Sequence, residues 1–430
     1  MRLLLSLLMV GALAAQDVDF DNLAARMENR DPKIRREGAK LLGEAGDKRA
    51  IPVLGKAVKD LDTETRYQSV QALGSFLDRE TIPFLAEAMK DPERRVKQSA
   101  IDGMVTQYIS VKGPGGIKGV FTKTVDVFRK GGDDAIVAPG TDVDTRVIAS
   151  LADAVSDPDN EVAKDSARAL GVLRGSAAVP AMGKVLYGAP NPVKVEILRA
   201  FQKIRDPKAA PEVVHVLANS NKDVRAQAAL TLGLLGARDQ RTRLRSLFDS
   251  DPDKGVRLRA FEALSMMPDA ADAAWFAGYL EDKDDKMREL AADAFGRMPQ
   301  AAVTKEYDEK LSGRLGVEKN GRVKLALAFA LTAQGHGDRL PDLVDSLDSM
   351  LHRQYGIAYL TELGRDASRL PSYYPYLKGD RADIRRYLCD VFTNLANPAA
   401  LEQVRPLTQD PNDQVVTAAI RAVQTMERVK

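Results

Sequence analysis

The chain predicts an all-α solenoid, a right-handed superhelix of about 11–12 helix pairs. Three observations carry this. A two-part phrase recurs with steps of 31, 29, 66, 34, 30, 30 and 31 residues from Asp31 through Asp62, Asp91, Asp157, Asn191, Asn221 and Asp251 to Asp282. Each copy opens with a helix-start residue and continues into small and apolar residues at helical spacing. No stretch reads as alternating strands. Self-similarity at a fixed period near 30 residues is the mark of stacked repeats, each too small to bury its own apolar face. A further copy starts at Asp410, with weaker ones near Lys319 and Arg381.

Each unit contains two helix starts. The first helix opens on phrases such as Asp47-Lys48-Arg49-Ala50-Ile51-Pro52, Asp78-Arg79-Glu80-Thr81-Ile82-Pro83 and Asp206-Pro207-Lys208-Ala209-Ala210-Pro211, where proline fits only the first turn. The second helix is expected to open with an N-cap acid or amide and proline at the first helical position. The pairs are Asp31-Pro32, Asp91-Pro92, Asp157-Pro158, Asn191-Pro192, Asp251-Pro252 and Asp410-Pro411. Glycines at 43, 46, 74, 171, 233 and 236 are expected to close these helices. Val224, Ala228, Ala229, Leu232 and Leu235 share one face, as do Val256, Ala260, Phe261, Ala263 and Leu264.

This pattern resembles the HEAT repeat, in the short bacterial form known from phycobilisome-lyase-type proteins. The carrying residues are Val224-Arg225 running to Leu232-Gly233, and Asp47 to Pro52. The resemblance covers about residues 20 to 428 with an interruption, and implies a HEAT/armadillo-type superhelix. Its domain reading is 1–15 signal peptide, 16–107 N-terminal repeats, 108–141 insertion, 142–315 central repeats and 316–430 degenerate C-terminal repeats. A lyase-like or chaperone activity is implied by the resemblance alone.

Charge and cysteine content narrow the partners. A net charge of +2 with 29% charged residues argues against a nucleic-acid binder. Met1-Arg2 followed by an apolar run to Leu13, with small residues at Ala12 and Ala14, reads as an export signal cleaved after Ala14 or Ala15. The expected location is therefore periplasmic or extracellular, in a bacterium. Cys389 is a lone thiol at a core position, expected buried and inert.

No catalytic pattern emerges. The three histidines, His215, His336 and His352, have no second ligand at metal-binding spacing, and no His-Glu pair exists of the kind that HEAT-like hydroxylases use. Neither metal nor cofactor is expected, and the chain reads as a non-enzyme. A basic residue follows the first apolar residue of many second helices: Arg35, Arg66, Lys97, Lys194, Arg225, Arg257, Arg288, Lys324 and Arg385. Recurrence at one repeat position favours pairing with the neighbouring repeat over recognition of a polyanion.

Three features are candidate sites. The insertion carries Lys112, Lys118, Lys123, Arg129 and Lys130 against Asp126, with Ile117, Val120, Phe121, Val125 and Phe128 on one helical face. Such a helix either folds back on the repeats or lies on an anionic membrane or partner; folding back is favoured. Tyrosines gather late, at Tyr355, Tyr359, Tyr373, Tyr374, Tyr376 and Tyr387, as interface candidates. The outward positions of middle second helices are apolar: Leu230, Leu234, Leu258, Met266, Leu290, Leu325 and Phe329. They predict an apolar groove for an amphipathic helix or extended segment of a protein partner. The expected function is an exported, non-catalytic scaffold or adaptor, with peripheral membrane association through the insertion as the alternative.

Overall fold

The computed structural model describes residues 20–109, 140–429 and, between them, residues 123, 125, 128, 129, 136 and 137. The signal-peptide expectation, with Ala14 and Ala15, falls outside these residues, as do Lys118, Phe121 and Lys130. Among the described residues every regular element is an α- or 3-10 helix. No helix among them is long and apolar enough to cross a membrane. The chain divides into two compact units between Thr231 and Leu232, within the helix Lys222–Leu234.

In the first unit the helix pairs are Phe20–Met27 with Pro32–Ala45, Ala50–Ala57 with Thr63–Ser75, Ile82–Ala88 with Arg94–Thr106, Thr145–Ala154 with Asn160–Val172, and Val179–Gly188 with Asn191–Ile204. Ala210–Val213, extended by a 3-10 turn, precedes Lys222–Leu234. The second unit continues with Arg241–Ser250 and Lys254–Met266, Ala273–Tyr279 and Asp285–Arg297, and Lys305–Val317 and Gly321–Ala333. Leu340–Asp345 precedes Arg353–Gly364; two 3-10 turns precede Ala382–Leu395, and the short helix Leu401–Val404, flanked by 3-10 turns, precedes Asp413–Arg428. Within each unit consecutive second helices pack on one another, and Arg94–Thr106 packs directly on Asn160–Val172. The 66-residue step in the sequence thus interrupts the chain without interrupting the stack.

Two details of the sequence reading are corrected. Asp91, Asp157, Asp251 and Asp410 do not cap helices; the helices start three residues later, at Arg94, Asn160, Lys254 and Asp413. Each of the four carboxylates instead accepts the backbone N–H two residues on, at 2.8–2.9 Å, in an Asx turn. The capping side chains come from Asp159, Asp253 and Asn412. The prolines that follow the Asx acids lie in the turn. Asn191 already begins its helix, while Asp31 caps as expected. Gly43, Gly74, Gly171 and Gly233 lie inside helices, and of these six glycines Gly46 and Gly236 alone adopt the positive φ of a helix end, both at +67°. At Gly171 a Cβ would stand 2.9 Å from the Ala200 Cα, and at Gly233 2.5 Å from the Ala263 Cα, so glycine here permits close helix approach.

The recurring cation holds the stack together. Arg35, Arg66, Arg225, Arg257, Arg288 and Arg385 each donate to the carbonyl six residues before, fastening the turn that leads into the helix. Several also reach a carboxylate of the next repeat: Arg35 to Asp60 at 2.7 Å, Arg66 to Asp91 at 2.6 Å, Arg288 to Glu318 at 2.9 Å and Arg385 to Asp410 at 2.7 Å. Lys97 makes the same contact to Asp157 at 2.5 Å across the insertion. These arginines hold the carboxyls of Asp60, Asp410 and Glu318 below the usual range, against the opposing pull of burial. The Asx-turn acid and the repeat-to-repeat acid are the same residue at Asp60, Asp91, Asp157 and Asp410, which explains why the acid recurs ahead of the helix.

Candidate functional site

Side chains three and six residues beyond the first core residue project from the second helices. In the first unit these positions gather charge. Counting from Val96, Val162 and Val193, they include Asp102, Asp165, Arg168, Glu196 and Arg199. Asp102, Asp165 and Glu196 are all buried. Gln98 donates to Asp165 at 2.8 Å, Arg168 bridges Asp165 at 2.9 Å and Glu196 at 3.2 Å, and Arg199 approaches Glu196 at 3.5 Å. Asp102 stands on the first of three consecutive second helices, and the next two each pair an acid with an arginine, Asp165 with Arg168 and Glu196 with Arg199.

Two residues of the insertion lie on this row. Phe128 is 1% exposed, and the Arg168 guanidinium stands 6.0 Å from its ring centre. Arg129 donates to Asp102 at 2.7 Å and lies 3.9 Å from Asp165. Burial pushes the Asp102 carboxyl up to about 6, against the Arg129 charge. Its second oxygen, Oδ1, is buried with no hydrogen-bond partner among the described residues. Of the insertion residues expected to act, Phe128 and Arg129 are thus docked on the repeats, and Lys123 is exposed. Sequence periodicity alone left open what the insertion would touch, because Asp102 and Asp165 are separated from it only in sequence.

The apolar groove expected from about Leu230 to Phe329 is corrected at three of its seven residues. Leu290, Leu325 and Phe329 are buried, at 2%, 7% and 1% exposure. The reason for Phe329 is plain: Tyr359, from the following second helix, stacks on it with ring centres 4.6 Å apart, and Arg297 covers it at 5.7 Å. Leu290 belongs to Asp285–Arg297, which packs against both Lys254–Met266 and Gly321–Ala333. Leu230, Leu234, Leu258 and Met266 remain half-buried. A charge at Phe329 would therefore unfold the stack rather than report on a surface.

Beside Phe329 is a polar network that the sequence reading missed. Asp293 occupies the same repeat position as Asp102 and is likewise buried. Tyr359 donates to it at 2.7 Å, Arg297 lies 3.6 Å away, and Arg297 also grips Glu362 through bonds of 2.8 and 2.9 Å. Burial raises both the Asp293 carboxyl and the Tyr359 hydroxyl. The late tyrosines also divide. Tyr359 and Tyr373 are core residues with satisfied hydroxyls, Tyr373 donating to the Leu360 carbonyl at 2.8 Å, whereas Tyr355, Tyr374, Tyr376 and Tyr387 are half-buried. Cys389 is buried and its thiol is pushed up to about 12, so it is an inert packing residue.

Among the described residues no group of three or more His, Cys, Asp or Glu side chains is placed to hold a metal ion. His336 bonds Asp308 at 2.7 Å, and His215 stacks on Tyr187 with ring centres 3.8 Å apart.

No curated protein matches the sequence. Among solved structures, an engineered protein is similar over 95% of this chain and 99% of its own, at 17% identity and a TM-score of 0.39. Importin beta is similar over 95% of this chain and 60% of its own, at 12% identity and a TM-score of 0.45. Human deoxyhypusine hydroxylase is similar over 57% of this chain and 83% of its own, at 22% identity and a TM-score of 0.27. The family profile for HEAT repeats matches residues 20–104, 184–265 and 212–296, each stretch built of the paired helices described above. Residues 20–104 and 184–296 are HEAT repeats.

Proposed function

We propose that this chain is a non-catalytic scaffold that binds a protein or peptide partner along the second-helix face of its first unit. The observation that carries the reading is the row Asp102, Asp165, Arg168 and Glu196. It is built of ionic side chains at outward repeat positions, and it already accommodates a phenylalanine and an arginine from outside the repeats. Repeat stacks gain stability through their helix-to-helix contacts and leave outward positions free for recognition. Export belongs to the same proposal, supported by the composition of residues 1–15.

Photo-crosslinking tests the binding face. A crosslinking residue at exposed second-helix positions, Gln71 or Arg199, is expected to trap a partner protein in the native host. The same residue at exposed first-helix positions, Lys56 or Lys184, is expected to trap little. Equal trapping on both faces, or none, would overturn the assignment. For export, N-terminal sequencing of the mature protein should begin at Ala15 or Gln16; an intact Met1 on a cytosolic protein would refute it.

A further inference from the structure

The pair Phe128–Arg129 shows what the charged row of the first unit is able to hold. The phenyl ring is fully buried against the repeats, and the adjoining guanidinium reaches two acids contributed by helices that are far apart in sequence but adjacent in the stack. Asp102 is 8% exposed and Asp165 6%, so neither is an ordinary surface acid. Gln98 and Arg168 already fix Asp165 at 2.8 and 2.9 Å, which holds its carboxylate in place before any ligand arrives. Asp102 is different. Arg129 engages only its Oδ2, at 2.7 and 3.3 Å, and Oδ1 is buried without a partner among the described residues. A buried carboxylate with one oxygen unsatisfied carries a free-energy penalty that a better-placed donor would relieve. A guanidinium that met both oxygens side by side would supply that donor. The arrangement is therefore a recognition site filled by an imperfect ligand from its own chain.

We infer that this site recognises a partner segment in which an aromatic residue is followed by arginine, and that Phe128–Arg129 is the intramolecular stand-in which that segment displaces. This rests on the scaffold reading above and adds the chemistry of the partner. The aromatic side chain fills the place of Phe128 beside Arg168, where the cation faces a ring. The arginine replaces Arg129 between Asp102 and Asp165. A lysine would serve poorly, because a single ammonium cannot span a carboxylate in the bidentate manner. Because the resident pair is tethered, it competes at a high effective concentration, so a partner is held off until its own affinity or abundance is sufficient.

The test uses the full-length chain and a synthetic peptide of residues 117–130, which contains the Phe128–Arg129 pair. Fluorescence anisotropy compares the wild type with the double variant Phe128→Ala/Arg129→Ala. The variant is expected to bind the peptide at least about tenfold more tightly, since the tethered competitor is gone. Adding Asp102→Asn and Asp165→Asn to the variant should abolish that gain. A peptide with lysine in place of the arginine, and a scrambled peptide of equal charge, should both bind about tenfold more weakly than the parent. Melting and circular dichroism confirm that each variant is folded; if the aspartate variants unfold, Asp102→Glu, which keeps the charge but displaces it, replaces them and should also weaken binding. Equal binding by wild type and double variant, or binding by the scrambled peptide as strong as by the parent, would overturn the inference. Neither result bears on the crosslinking experiment, which tests the face without assuming what occupies it.

Discussion

At the level of single residues the ionisable groups pull stability in opposite directions with pH. Asp60, Asp410 and Glu318 have carboxyls held below their unfolded values by arginine. Their contribution is present above about pH 4 and is lost as pH falls further. Asp102 has the opposite sign. Its folded carboxyl, at about 6, lies above the unfolded one, so the folded state holds the proton more strongly, and stability from this group falls as pH rises from about 4 through 6. The expected size is on the order of 3 kcal/mol. Asp102→Asn removes that titration. Denaturant unfolding at several pH values should show the variant gaining on the wild type between pH 4 and 7. A constant difference across that window would mean that burial does not govern this carboxyl. The arginine clamps give a second residue-level expectation. Arg66→Met leaves Asp91, whose side chain is 3% exposed, without its guanidinium, and should cost about 3 kcal/mol or more. Arg49→Met, at a pair whose arginine is largely exposed, should shift the unfolding midpoint far less than Arg66→Met.

Helices in this chain are specified by their ends and by the width of their contact face. The Asx-turn acid followed two residues later by a capping side chain makes a two-step entry, seen where Asp60 accepts from the Asp62 backbone and Asp62 in turn accepts from Thr65. Glycines then separate into two kinds that a sequence scan treats alike. Gly171 lies against the backbone of Ala200, so Gly171→Ala should force the helices Asn160–Val172 and Asn191–Ile204 apart and destabilise by about 1–3 kcal/mol. Gly313, within Lys305–Val317, has nothing within 4 Å of the point where a Cβ would stand. Gly313→Ala should instead stabilise by about 0.5–1 kcal/mol, through helix propensity alone. Thermal melts of the two variants should shift in opposite directions; a shift of the same sign in both would show that the close approach at Gly171 does not limit packing.

For the whole molecule, the consequence of stacking is that damage is local before it is general. Leu360 is completely buried in Arg353–Gly364, which packs against Gly321–Ala333 and Ala382–Leu395. Leu360→Asp places a charge in that stack. Hydrogen exchange should accelerate first in those three helices and later in Arg241–Ser250 and Lys254–Met266 of the same unit. Uniform acceleration through the unit would argue for a single cooperative core in place of nearest-neighbour coupling.

The repeat itself was legible in the sequence. Its period, the small and apolar face around Ala228, Ala229 and Leu232, the proline-tolerant first turns and the recurrent arginine all arise from local rules of helix geometry, which operate within about 30 residues. The arginine's pairing was legible too, because its recurrence at one repeat position implied a contact made in every repeat. The helix entries were displaced by three residues in four places, since an aspartate that makes an Asx turn and one that caps a helix have the same local signature. Burial of outward positions was decided by tertiary structure. Phe329 holds the repeat position of Lys40 and Gln71, both exposed, and it is buried because Tyr359 from the next second helix and Arg297 from the preceding one cover it. The charged row of the first unit depends on the same kind of contact. Asp102 and Asp165 are 63 residues apart in the chain, and they converge with Arg129 because the stack closes directly across the insertion. Local spacing sets which residues a helix can offer; which of them become neighbours is fixed by the packing of one repeat on the next.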